Sequence, residues 1–253
     1  MQNTDFFQQI KQVKIPLGST TISLPVFYYD VATLSVHCLA SIERIHSILP
    51  SKRMHPFRVT PWHCVVSISA LEYRDSDLEP YNEVSIGVPV VLDETSPLFI
   101  GTLHKIPTVP KVYIHHLAVT TEIARDLGIE LANYPKFLAE IMFERDSKSV
   151  RCHLKEAGQH ILTLTGQKGV STNVSRSQMQ PITVQSGYML RSDLIVSERH
   201  QISHRGSAGV CLELGDHAIA QELKEWKLSK IIGYQYAPHH QVILSPVSES
   251  FRV

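Results

Sequence analysis

Residues 128–144 read GIELANYPKFLAEIMFE, and they set one lysine, Lys136, between a proline and an apolar run. Pro135 fixes the backbone just before that lysine and pushes Tyr134 towards an extended conformation. Phe137, Leu138, Ala139, Ile141, Met142 and Phe143 follow, which predicts that the amine starts from the edge of a buried region. Exposed lysines have a pKa of about 10.4, so only about one in a few thousand carries a free amine at neutral pH. Desolvation disfavours the ammonium, and about 4 to 5 kcal/mol of such destabilisation brings a lysine to about pH 7, where it can form an imine with a ketone. The plainer alternative is a stem that crosses apolar surface and leaves its head in water.

Working outward, a short helix is expected from Thr121 towards Gly128, with Glu122 and Asp126 suiting the positive end of its dipole. Upstream, residues 62–71, 83–92 and 111–120 are dense in β-branched and aromatic residues and read as strands, with Gly87 and Pro89 marking a bend in the second. A strand is also expected over 21–29. Residues 30–49 read as a helix capped by Asp30, since Leu39, Ile42, Ile45 and Ile48 recur at helical intervals. Downstream, strands are expected over 140–144, 150–155, 160–165, 182–190, 193–198, 231–236 and 241–244, with 166–178 as the loosest connection. A helix over 218–226 is expected to be capped by Asp216. Many strands and few helices argue for a curved sheet or barrel rather than alternating β and α units.

Composition narrows the function. The 253 residues are 43% hydrophobic, enough for a substantial core, and 24 basic side chains balance 24 acidic ones. That balance speaks against an electrostatic grip on nucleic acid or anionic lipid and favours a small ligand. Cys38, Cys64, Cys152 and Cys211 are scattered, which predicts reduced, mostly buried thiols. Neither a signal peptide nor a run of about 18 apolar residues is visible, so a cytoplasmic location is expected. There is no Gly-rich phosphate loop and no serine nucleophile elbow. His115 and His116 are adjacent on a strand, where neighbours point to opposite faces. They are therefore not expected to hold one metal, although one could line a pocket. Glu83, in the apolar strand VSIGVPVVL, is either a buried carboxylate needing a partner or a solvent-facing charge.

Gly128, Glu130, Tyr134, Pro135 and Lys136 resemble the signature of the acetoacetate decarboxylase family. PYNEVSIGVPV at 80–90 and GDHAIAQELKEWKLSKIIGYQY at 215–236 extend the likeness over most of the chain. The resemblance implies a mainly β (α+β) fold, an antiparallel β-barrel or cone with a few peripheral helices. It places a polar lead-in at 1–20 before a single domain at 21–253. It also implies a homo-oligomer, no cofactor, no metal, and decarboxylation of a small keto acid through a Schiff base on Lys136. Glu83 falls on an active-site acid, with Glu130, Tyr134, Phe137, His115 and His116 around the pocket.

Four departures stand out. Ile129 replaces the usual arginine of the Gly-Arg-Glu element, and Phe137 replaces a second lysine. The family's second acid falls near Ser67 or Ser69, with Glu72 the closest carboxylate, and an N-terminal arginine falls near Val31. These departures leave a pyruvate-type Schiff-base aldolase or dehydratase, and a non-catalytic binding barrel, as alternatives.

Overall fold

The computed structural model describes residues 4–18, 20–93 and 109–253, so residues 1–3 and 19 of the expected lead-in lie outside it. A 3-10 turn at Thr4–Phe6 leads into a hairpin of β1 (Val13–Leu17) and β2 (Thr20–Leu24). Then follow β3 (Val26–Ser41), α1 (Ile42–Ile48), β4 (Met54–Pro56), β5 (His63–Ser76), β6 (Tyr81–Leu92), β7 (Lys111–Val119), α2 (Glu122–Ala132) and β8 (Lys136–Leu138). The second half comprises β9 (Glu140–Arg145), β10 (Ser149–Glu156), β11 (Gln159–Gln167), β12 (Thr172–Val174), β13 (Ser177–Gln185), β14 (Tyr188–Val196), β15 (Arg199–Arg205), β16 (Val210–Leu214), α3 (Ala218–Glu225) and β17 (Ile231–Arg252).

Seven strands close into a barrel in the order β17-β14-β13-β7-β6-β5-β3, with β3 pairing back onto β17. A four-stranded sheet, β16-β11-β10-β9, packs against it. The main core lies between them, where Leu34, Val36, Ile68 and Ile86 of the barrel meet Val150, Leu154, Leu162 and Leu164. Each such side chain taken fully out of water contributes about 1.5 to 3 kcal/mol. The mainly β, barrel-forming architecture expected from the sequence is the one observed, and Cys38, Cys64 and Cys152 are free and buried, with Cys211 free but exposed.

Several element boundaries differ from expectation, for local physical reasons. Residues 30–41 are strand, because Leu34, Val36, Cys38 and Ala40 alternate into the core. The apolar period switches to helical only at Ser41, whose hydroxyl accepts the Arg44 N–H and caps α1. Asp30 caps nothing and instead accepts from Arg74 at 2.8 Å and His239 at 3.0 Å. Trp62 precedes β5 and is 73% exposed, whereas β5 itself runs on to Ser76. The expected strand at 182–190 is broken at Ser186 and Gly187, both at positive φ, giving the tight turn between β13 and β14. The expected loop at 166–178 contains β12. His217, not Asp216, caps α3, and the two expected C-terminal strands are one long, bulged β17.

His240 on β17 is buried, with Thr33 Oγ1 at 3.3 Å from its Nε2. Burial lowers its pKa from the ordinary 6.5 to about 3, helped by Arg199, Arg74 and His239 and opposed by Asp30. Since the folded chain binds this proton less readily than the unfolded one, the stabilisation is full above about pH 6.5 and is lost as pH falls towards 3. Thermal midpoints should therefore decline across that interval, and His240→Gln should flatten part of the slope. An unchanged slope in the variant would assign the decline to other groups, such as the similarly shifted His37.

Candidate active site

Lys136 is placed by three local devices in succession. Asn133 ends α2 in the left-handed conformation, returning its N–H to Ile129 O at 2.9 Å, while Tyr134 N–H reaches Gly128 O at 3.2 Å. Pro135 is then the centre of a three-residue turn closed by Lys136 N–H on Tyr134 O at 2.7 Å, a geometry its fixed φ favours. Finally β8 pairs in parallel with β7, setting Lys136 opposite Leu117.

Glu83 comes from the other side of β7, paired with Val119. The two long side chains reach over that strand from opposite flanks, and Lys136 Nζ lies 3.1 Å from Glu83 Oε2. Both are nearly dry, with side chains 7% and 10% exposed. The Tyr81 and Tyr134 rings lie 5.8 Å and 6.0 Å from the amine, close enough to favour a cation there. Tyr73 donates to Glu83 Oε1 at 3.2 Å, and the Tyr28 and Tyr81 hydroxyls are 3.2 Å apart. Burial, reinforced by the Glu83 charge, raises the pKa of all four tyrosines, Tyr28, Tyr73, Tyr81 and Tyr134, so they remain neutral hydroxyls. A buried ammonium–carboxylate pair can also exist as free amine and carboxylic acid by moving one proton across 3.1 Å. An imine requires the free amine, and Glu83 is placed to accept its proton.

Gly128 explains why the stem fits. A Cβ at this position would lie 2.5 Å from Lys136 Cδ, 2.6 Å from Cε and 3.1 Å from Nζ. The missing side chain is the slot in which the lysine lies.

Four of the expected pocket residues are not beside the amine. Glu130 is exposed on α2: it is two residues, about 200°, round the helix from Gly128, and so points away. Phe137 follows Lys136 on β8 and therefore faces the opposite side, packing on the main core. It does not dry the amine, and a charge at this position would not face it either. His115 and His116 also lie on the far face from Leu117 and Lys136. A β-bulge at Ile86/Gly87 leaves His115 unpaired, so both rings point the same way, contrary to simple alternation. Their Nε2 atoms meet Glu222 of α3 at 2.8 Å and 2.6 Å. Lys136, Glu83 and Tyr134 do come together.

Sequence reasoning did not assign Tyr28, Tyr73 and Tyr81. Tyr81 had a legible signal, since it precedes Glu83 by two and shares its strand face, and Tyr73 is its register partner. The positions of the family's second acid carry hydroxyls tied to their neighbours: Ser69 accepts from Ser35 at 2.8 Å, and Ser67 lies 2.9 Å from His37 Nδ1. Glu72, adjacent to Tyr73 on β5, faces away and binds Arg145 at 2.6 Å. A cleft of about 430 Å³ abuts the site through Tyr73 and Tyr81. A larger one, about 720 Å³, is lined by Asp30, Arg199 and His239 and does not include Lys136.

Among solved structures, one of acetoacetate decarboxylase superposes with a TM-score of 0.67 at 18% identity, covering 96% of this chain and 95% of its own. Acetoacetate decarboxylase from Legionella pneumophila gives 0.64 at 14% identity, covering 90% and 87%. The enduracididine biosynthesis enzyme MppR, complexed with pyruvate, gives 0.59 at 10% identity, covering 92% and 96%. No curated protein sequence matches the chain. The sequence model of the acetoacetate decarboxylase family matches residues 14–241, spanning the lysine, its glutamate and both flanking motifs, and the chain belongs to that family.

Proposed function

We propose that this chain is a lyase that decarboxylates a small β-keto acid through a Schiff base on Lys136. The observation that carries the reading is the amine held 3.1 Å from Glu83, with both side chains almost excluded from water. Glu83 takes the ammonium proton, the free amine adds to the ketone, and the carbinolamine loses water with a proton returned by Glu83. In the resulting iminium the bond to the carboxylate breaks, and its electron pair moves into the iminium. Carbon dioxide leaves, and the enamine is protonated and hydrolysed to ketone and free lysine. Tyr73 orients Glu83, while Tyr81 and Tyr134 keep water away. No metal or organic cofactor takes part in this scheme, and a homo-oligomer is part of the same reading.

A second reading, a pyruvate-type aldolase or dehydratase, is favoured by the hydroxyls of Ser67 and Ser69 where a second acid is expected, and by the outward orientation of Glu72. MppR, whose structures contain pyruvate and the condensation product of pyruvate and imidazole 4-carboxaldehyde, has the same fold.

Borohydride separates these readings. Reduction in the presence of acetoacetate should leave an adduct mass on the Lys136 peptide, and carbon dioxide should be released in its absence. An adduct formed with pyruvate, without carbon dioxide from acetoacetate, would favour the second reading. A lysine unmodified by either acid would sink both.

A further inference from the structure

We propose that His115, His116 and Glu222 form a binding site for one late first-row divalent cation, with Zn²⁺ as the reference ion, which clasps α3 to the barrel. One ligand atom from each of the three residues, an imidazole nitrogen from each histidine and a carboxylate oxygen, lies within 4.8 Å of the other two. Each imidazole faces a different oxygen of the same carboxylate, at 2.8 Å and 2.6 Å. Two nitrogens and a carboxylate are a donor set that suits such ions, and three protein ligands leave positions for water.

Adjacent histidines on a regular strand cannot do this. Here the bulge in the β6–β7 ladder gives up one backbone pairing and turns both rings to one side. The third ligand comes from a separate element, α3, whose Trp226 C-cap packs 5.0 Å from the His115 ring. The rings and the carboxylate are partly buried, at 15%, 24% and 29% side-chain exposure, so the cluster is neither a loose surface pair nor sealed from ions. As it stands the geometry is that of hydrogen bonds. Ligand distances of about 2.05 Å to a tetrahedral ion require N···O separations of about 3.3 Å, an opening of roughly half an ångström that rotation of the partly exposed Glu222 can supply.

The site is on the opposite face of β7 from Lys136, so the ion is assigned a clasping role and not a part in the imine chemistry. It joins the barrel to α3, which packs on β11 and β16 of the second sheet. The site and the proposed reaction can therefore fail independently.

The full chain, stripped with a chelator, should bind one Zn²⁺ by calorimetry. The thermal midpoint should rise by about 5 °C or more at a hundredfold excess of Zn²⁺ over its Kd. His116→Gln and Glu222→Gln should each weaken binding at least tenfold, while Lys136→Met should bind Zn²⁺ as the parent does. X-ray absorption at the zinc edge of the parent, which needs no variant to fold, should show two imidazoles and oxygen for the remainder. No stoichiometric binding, an affinity unchanged in folded His116→Gln, or a zinc shell without two imidazoles would each overturn the site.

Discussion

Lys136→Met should lower kcat/KM by about 10⁴-fold or more, the order of loss seen when a covalent nucleophile is removed, and should abolish the borohydride adduct. Methionine has nearly the length of the lysine stem and fills the slot against Gly128, so packing is kept. What it removes is the positive partner of Glu83 at 3.1 Å. Leaving a buried carboxylate unpaired costs about 3 to 5 kcal/mol, but Glu83 can reduce that cost by taking a proton while keeping its contact with the Tyr73 hydroxyl. A folded protein with a lower melting temperature and no turnover is expected, measured by circular dichroism beside a carbon dioxide assay. Turnover equal to the parent's would remove the imine from the mechanism. If the parent turns nothing over and Lys136→Met binds ligand equally well, the chain is a binding barrel that has kept the fold.

Gly128→Ala should separate stability from chemistry. Alanine suits a helix better than glycine by about 1 kcal/mol, and the three heavy atoms nearest the added methyl all belong to the Lys136 side chain. The side chain must shift and loosen its pairing with Glu83, which offsets the helix gain, so the fold should be kept with a stability near or somewhat below the parent's. The amine cannot swing and stay where it is, because its own Nζ would be 3.1 Å from the new carbon and its Cδ only 2.5 Å. A displacement of about 1 Å in a reacting group costs about 10²-fold, and this is the loss expected in kcat, with adduct formation slowed in step. An unaltered kcat in a folded Gly128→Ala protein would mean that the lysine does not react from its position beside α2. A loss of the expected size would make this glycine a packing requirement of the lysine.

The pair at the centre of the site was legible before the fold. The setting of Lys136, between Pro135 and an apolar run, and of Glu83, at the head of VSIGVPVVL, left a solvent-facing reading open for each, and the family resemblance selected both. Tyr134 followed from the family signature, as the aromatic before the proline and the lysine. What could not be read was which face each neighbour occupies. Phe137 and Glu130 are close to the lysine in sequence and far from it in orientation, one by the alternation of a strand and the other by 200° of helix. The histidine pair was misjudged because a bulge is a property of two strands in register, and one strand's sequence does not reveal it. The helix expected from Asp30 failed similarly. Leu39, Ile42, Ile45 and Ile48 satisfy a helical period, but Leu34, Val36, Cys38 and Ala40 satisfy a strand period immediately before, and the two overlap at Ser41.

Ring closure through β17 has a consequence for how the chain matures. Residues 26–41 and 231–252 are neighbours in the finished barrel yet are far apart in sequence. A nascent chain that has not yet exposed residue 231 presents three raw strand margins, β3, β14 and β15, each with unpaired amides and carbonyls. Such margins invite edge-to-edge sticking, and joins between distant segments form slowly. β17 thus acts as a zip fastener drawn late, and the interval before it slides home is when the barrel's margins are open to edge-to-edge pairing.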